Sequence, residues 1–163
     1  MEFLAKGKRS EVYLDNNKVI KVTNEYSASN EAFWLAELNK YHIGPKFYAK
    51  EGNKVIMEYI KGERIIGYLA KSNKSKCEKI LKECFKQCRI LDKLKVNKKE
   101  LTNPYKHIII RKDKPVFIDF ERCKIAERVK NTNQFRQFLN SFKIKKLLEE
   151  KGIELDNFLI YRD

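Results

Sequence analysis

Apolar and polar positions alternate, or run β-branched, over residues 11–14 and 18–22 on either side of Asp15-Asn16-Asn17. This pattern predicts a β-hairpin closed by an Asx-rich turn. From a cap position at Ser27 or Ser29 the spacing changes, because Ala32, Leu35, Ala36 and Leu38 recur at helical intervals until Gly44-Pro45 ends the segment beyond His42. A helix of about four turns is predicted there. Residues 46–49 and 54–59 then read as two strands joined at Glu51-Gly52-Asn53.

Beyond Lys61-Gly62 the periodicity is mainly helical. A short helix is predicted over 64–71, followed by a long amphipathic one over 75–94 with Cys77, Cys84 and Cys88 on the same face as Ile80, Leu81, Phe85 and Leu91. Asn103-Pro104 marks a loop, and residues 108–110 and 115–119 form a second hairpin about Lys112-Asp113-Lys114. From 133 to 151 helical spacing returns through Phe135, Phe138, Leu139, Phe142, Ile144, Leu147 and Leu148. No internal repeat and no long linker interrupts this plan. The expected architecture is α+β: a β-rich N-terminal lobe with one helix over 1–60, a hinge near 59–62, and a helical C-terminal lobe with one small hairpin over 61–163.

With 163 residues and 42% hydrophobic content, the chain can bury a core without disulfides or structural metal. Its 12% aromatic content, with 6 Gly and 3 Pro, excludes collagen-like and low-complexity classes. Cys77, Cys84, Cys88 and Cys123 form no C-x-x-C pair, so they are expected to be reduced core residues. A zinc site is the weaker reading, since its fourth ligand would have to be distant Cys123 or one of the two histidines, His42 and His107. The first residues carry no long apolar segment, and runs such as 108–110 are too short to cross a bilayer, so a soluble cytoplasmic protein is expected.

Charge changes the picture most. Lys plus Arg number 36 against 22 Asp plus Glu, giving a net charge of +14 and a pI near 9.6. Two readings follow: attraction of a polyanionic partner, or the Lys- and Glu-rich surface of a heat-adapted protein. Residues 71–100 hold eleven of the cations against four acids, half of the whole excess.

Several residues stand in a telling order. Gly7 lies in Ala5-Lys6-Gly7-Lys8-Arg9-Ser10-Glu11-Val12, Lys21 ends Val19-Ile20-Lys21, and Glu31 falls in Asn30-Glu31-Ala32. Met57-Glu58-Tyr59-Ile60 runs into Lys61-Gly62, and Asp119 closes the apolar strand of Val116-Phe117-Ile118-Asp119-Phe120-Glu121-Arg122. Over residues 3–140 this order resembles the protein kinase superfamily, and looks closest to its small atypical members: the RIO kinases, the archaeal kinase of the KEOPS complex and the lipopolysaccharide core sugar kinases.

The resemblance implies a minimal kinase-like two-lobe fold with a reduced C-lobe, and ATP and Mg²⁺ as cofactors. Gly7, Ser10 and Val12 would belong to the loop over the phosphates, in the register of G-x-G-x-x-G-x-V with Ala5 and Ser10 replacing two glycines. Lys21 would pair with the α- and β-phosphates and with Glu31, while Met57 would be the gatekeeper and Glu58, Tyr59 and Ile60 would offer backbone groups to the adenine edge. Asp119 would bind Mg²⁺; a strand-end Asp that caps the next turn is the competing reading.

Thr102 stands where the catalytic-loop Asp is expected, and His107 stands where the metal-binding Asn is expected. His107 could ligate through neutral imidazole or be a locally bonded loop histidine. Glu100 and Glu121 are the nearby acids that could orient the nucleophile instead. No A-P-E motif follows Phe120, so a conventional peptide platform is absent. The expected function is an ATP- and Mg²⁺-dependent, serine/threonine protein kinase-like phosphotransferase of reduced size. The alternative is a nucleotide-binding pseudokinase or a basic RNA-associated regulatory protein. Beyond the nucleotide, a protein or RNA partner would meet the basic 71–100 region.

Overall fold

The computed structural model describes residues 1–158, so 159–163 of the expected second lobe lie outside the described residues. The chain divides into two compact units. The first comprises Met1–Lys61 with Val116–Lys124, and the second Gly62–Pro115 with the chain from Ile125 onward.

Five antiparallel strands build the first unit: β1 (Glu2–Lys6), β2 (Glu11–Asp15), β3 (Lys18–Val22), β4 (Phe47–Glu51) and β5 (Lys54–Glu58), in the order β1-β2-β3-β5-β4. Asp15 pairs with Lys18, which makes Asn16-Asn17 a two-residue turn; Asn16 takes φ 58°, a left-handed conformation that Asn tolerates better than most residues. The register sets Lys21 opposite Val12 on β2 and opposite Val55 on β5. Between β3 and β4 runs helix α1 (Glu25–Asn39). It starts earlier than the serine spacing predicts, because the Asn24 side chain accepts the Ser27 N–H at 2.8 Å and places Ser27 inside the first turn.

α1 turns Ala28, Ala32, Trp34, Leu35 and Leu38 into the core of this unit, where Val55, Phe117 and Phe120 are also buried. Gly44, at φ 82°, ends the connection after α1; a Cβ there would stand 3.1 Å from the Phe120 ring and 3.0 Å from Leu35. This position therefore requires glycine for its backbone and for the ring packed against it.

The second unit begins with β6 (Glu63–Arg64), α2 (Ile65–Lys71) and α3 (Lys74–Lys93). It continues through β7 (Val96–Asn97), two 3₁₀ turns (Lys99–Thr102 and Pro104–Lys106) and β8 (Ile108–Arg111) to the start of β9 (Lys114–Phe117). β6 pairs antiparallel with β8, and after the two-residue strand β10 (Lys124–Ile125) come α4 (Asn131–Leu139) and α5 (Phe142–Glu150). Cys77, Ile80, Leu81, Cys84, Phe85, Cys88 and Leu91 form the buried face of α3, and Phe85 meets Phe135 of α4 edge-on at 5.0 Å between centroids. The four cysteines are free thiols, and burial pushes the Cys84 and Cys88 thiols well up.

The single helical stretch predicted over 133–151 is two helices. Asn140-Ser141 breaks it: the Asn140 N–H closes α4 onto Arg136, the Ser141 hydroxyl donates to the Phe138 carbonyl at 2.7 Å, and Ser141 takes extended backbone before α5. Its short hydroxyl side chain competes for backbone partners, as serine does at helix ends. Among the described residues no helix is long and apolar enough to cross a membrane.

Candidate functional site

The site is built on β3. Alternation along a strand sends neighbouring side chains to opposite faces, and Lys21 points to the face that α1 covers. Only 7% of Lys21 is exposed, and its Nζ lies 3.0 Å from Glu31 Oε1, 3.2 Å from Asp119 Oδ1 and 3.3 Å from Glu121 Oε2. All four residues belong to the first unit. One ammonium thus faces three carboxylates.

Glu31 occupies the middle of α1 with 1% exposure. Its second oxygen accepts the Phe120 N–H at 2.6 Å, so one side chain grips both the strand lysine and the backbone just after Asp119. The neighbouring Asn30 adds two more ties, its Nδ2 donating to the Glu121 carbonyl at 2.7 Å and the Cys123 carbonyl at 3.0 Å. Sequence reasoning did not single out Asn30. Its only signal was a weak helix former in mid-helix beside Glu31. Together Asn30 and Glu31 fix the course of residues 119–123 against α1.

Asp119 follows β9 with φ 69°, a left-handed conformation unusual for a residue with a side chain. Strain of this kind persists where the surroundings over-determine it, here through the bonds at Phe120, Glu121 and Cys123. Burial lowers the affinity of Lys21 for its proton, but the Glu31, Asp119 and Glu121 carboxylates outweigh that effect and hold its pKa above the ordinary lysine value. Burial raises the Glu31 carboxyl, with Asp119 adding to the rise and Lys21 opposing it.

Oxygens of Glu31, Asp119 and Glu121 all lie within 4.8 Å of one another. With all three ionised, the cluster carries two more negative charges than Lys21 balances. A hard divalent cation is the counter-charge that such an all-oxygen donor set fits, and carboxylate oxygens are what Mg²⁺ takes from proteins.

The remaining candidates are spread along both units. Gly7 lies in the β1–β2 connection, where its N–H donates to the Ser10 carbonyl at 2.8 Å; Val12 is half-buried on β2. Met57, 7% exposed, lies opposite Val19 on β3. The Glu58 N–H donates to the Lys46 carbonyl at 2.8 Å and the Tyr59 N–H to the Asn17 carbonyl at 3.0 Å, while Ile60 is half-buried. In the second unit, Glu100 is buried with Oε2 3.5 Å from the fully buried Lys98 Nζ, and Thr102 is exposed at the end of the same 3₁₀ turn. His107 is half-buried there, and its backbone N–H donates to the Pro104 carbonyl at 3.0 Å.

No family model matches the chain, and no curated protein matches it by sequence. Among solved structures it is similar to the Rio2 kinase of Chaetomium thermophilum, described as an ADP/Mg²⁺-phosphoaspartate complex. The TM-score is 0.66 at 14% identity, covering 94% of this chain and 57% of that one. The likeness is one of fold. The protein has a small α+β, protein kinase-like fold, and it spans a little over half the length of that kinase.

Proposed function

We propose that this chain is an ATP- and Mg²⁺-dependent phosphotransferase, serine/threonine protein kinase-like and of the small atypical type, acting in the cytoplasm. The observation that carries this reading is Lys21 held at 3.0 Å by Glu31 and at 3.2 Å by Asp119. Burying a lysine and a glutamate costs free energy that a hydrophobic pair would avoid, so the pair points to a task at the site.

In this reading Lys21 meets the α- and β-phosphates, and Glu31 keeps its ammonium protonated and aimed. Lys21 exchanges Asp119 and Glu121 for phosphate oxygens once those carboxylates are engaged elsewhere. Gly7 and Ser10 lay a backbone turn over the phosphates, with Val12 beneath and Met57 at the back of the base site. The Glu58 and Tyr59 N–H groups are already taken, so strand-end carbonyls and the Ile60 backbone are left to read the adenine edge. Asp119 and Glu121 would hold Mg²⁺, and the ion would supply charge neutralisation on the phosphates when bound. Of the two acids that could orient a nucleophile, Glu121 belongs to the Lys21 cluster, whereas Glu100 is paired with Lys98.

Thermal unfolding with and without ATP and Mg²⁺, on the wild type and on Asp119→Ala, tests the reading. At 100 times its dissociation constant a ligand adds about 2.7 kcal/mol, several degrees of midpoint at this size. A Mg²⁺-dependent shift lost in Asp119→Ala is expected, together with transfer of labelled phosphate to a serine or threonine substrate. No shift at saturating ATP would overturn it. A shift without any transfer would favour the second reading, a nucleotide-binding pseudokinase, for which the specific observation is exposed Thr102 at the position expected for the catalytic Asp.

A further inference from the structure

The solvent face of α3 carries a single row of cations. At 3.6 residues per turn, Lys79, Lys82, Lys86, Arg89 and Lys93 fall within about 80° of arc and extend about 21 Å along the axis, in steps of about 4.5 or 6 Å. The four lysines are exposed and Arg89 is half-exposed. Directly opposite lies the buried face of cysteines and aliphatic residues, so packing of that face fixes which way the row points. The acids of the helix flank the row: Glu78 and Glu83 lie about 20° and 40° beyond its two edges, and Asp92 about 60° beyond. Asp92 is spent elsewhere: its carboxylate accepts from the Asn131 N–H and Nδ2 and from Thr132 Oγ1, which anchors the start of α4.

We propose that this row is a docking surface for the phosphate backbone of a double-stranded nucleic acid. The proposal stands independently of the phosphotransfer reading. Three observations select this partner. First, the charge is complementary and regular, and it belongs to a segment that holds half of the net +14. Second, the row contains no aromatic or aliphatic side chain. Protein interfaces draw most of their energy from buried Trp, Tyr and Arg anchors, of which the row offers only half-exposed Arg89, and membrane-surface helices insert an apolar face; the apolar face of α3 is already buried in its own unit. Third, single strands are held by stacking bases on aromatic rings, and the row offers none. What remains is contact with phosphates, which positions a duplex without reading its bases.

Five phosphates neutralised predict a slope of about −4.5 in log K against log salt, a loss of about 500-fold between 50 and 200 mM. Anisotropy titrations of the full chain with an RNA duplex and a DNA duplex of one sequence measure this; preference for either assigns the source of the backbone. Replacing Lys79, Lys82, Lys86, Arg89 and Lys93 with Gln should abolish the binding. Replacing exposed Lys6, Lys40, Lys46, Lys54 and Lys61 with Gln removes the same charge from the first unit and should leave the slope nearly intact. Should the fivefold variant lose its helical circular dichroism, the pair Lys82→Gln with Lys86→Gln should still lower the slope by about 1.8. Equal losses in both fivefold variants would overturn the proposal, because net charge alone would then explain the binding. Binding of a polyglutamate peptide or of a single strand as tightly as the duplex would overturn it as well.

Discussion

Asp119 brings two costs to one position. Its backbone is left-handed, and its carboxylate joins two others around a single ammonium. Asp119→Asn keeps a residue that tolerates this backbone and removes one of the crowded charges, so stability without ligand should rise by about 1 kcal/mol while the Mg²⁺-dependent nucleotide shift disappears. Urea unfolding beside the thermal-shift assay measures both; a variant that loses stability and keeps the shift would contradict the account. Lys21 behaves in the opposite sense. Lys21→Met leaves three carboxylates with no counter-charge and should cost about 3–5 kcal/mol at pH 7. The Glu31 carboxyl is already raised by burial, and without Lys21 it rises further. A carboxyl with a raised folded pKa favours folding below its unfolded value, near 4.5, and that contribution fades as pH climbs through the folded value. The deficit of Lys21→Met should therefore shrink as pH falls from 7 toward 5, whereas the wild-type lysine, raised above its ordinary value of 10.5, keeps its contribution throughout that window.

At the scale of elements, close approach governs the entry to the second unit. Gly62 sits so near β8 that a Cβ would come within 2.2 Å of the Ile110 carbonyl oxygen, and backbone cannot swing aside as a flexible side chain can. Gly62→Ala should cost at least about 1–3 kcal/mol by overpacking and weaken the pairing of β6 with β8, visible as faster amide exchange at Ile109 and Ile110. Legibility also divides by element. The β2–β3 hairpin, β5 and α3 declare themselves through long, regular periods. β1 is mostly exposed and offers little alternation, and β6, β7 and β10 are two residues each, below any period. At α1 two serines and Asn24 all have cap chemistry, and only the fold decides that Asn24 makes the capping bond. Within the candidate site, Lys21, Glu31 and Asp119 are legible through the kinase-like order of residues along the chain rather than through any one local pattern. The meeting of Glu121 with Lys21 and the ties from Asn30 depend on the turn after Asp119, whose left-handed backbone no local pattern announces.

For the whole molecule, the lobe boundaries written along the sequence and the units in space follow different cuts. The strand end and turn of Val116–Lys124 belong with the first sixty-one residues rather than with their chain neighbours. A closed hydrophobic period can mark where a helix stops, but not which body a later hairpin strand completes, because that choice is made by tertiary bonds such as Glu31 to the Phe120 N–H. The same cut has a temporal meaning during synthesis. Lys21 and Glu31 leave the ribosome early, yet the residues that bury and tie them arrive only after 62–115 have been made, an interval of about 3–10 s at ordinary elongation rates. Through that interval the five strands and α1 have all been made, but Lys21 and Glu31 wait without Asp119, Glu121 and the Phe120 N–H. Completion of the charged cluster is thus an event late in the life of the nascent chain.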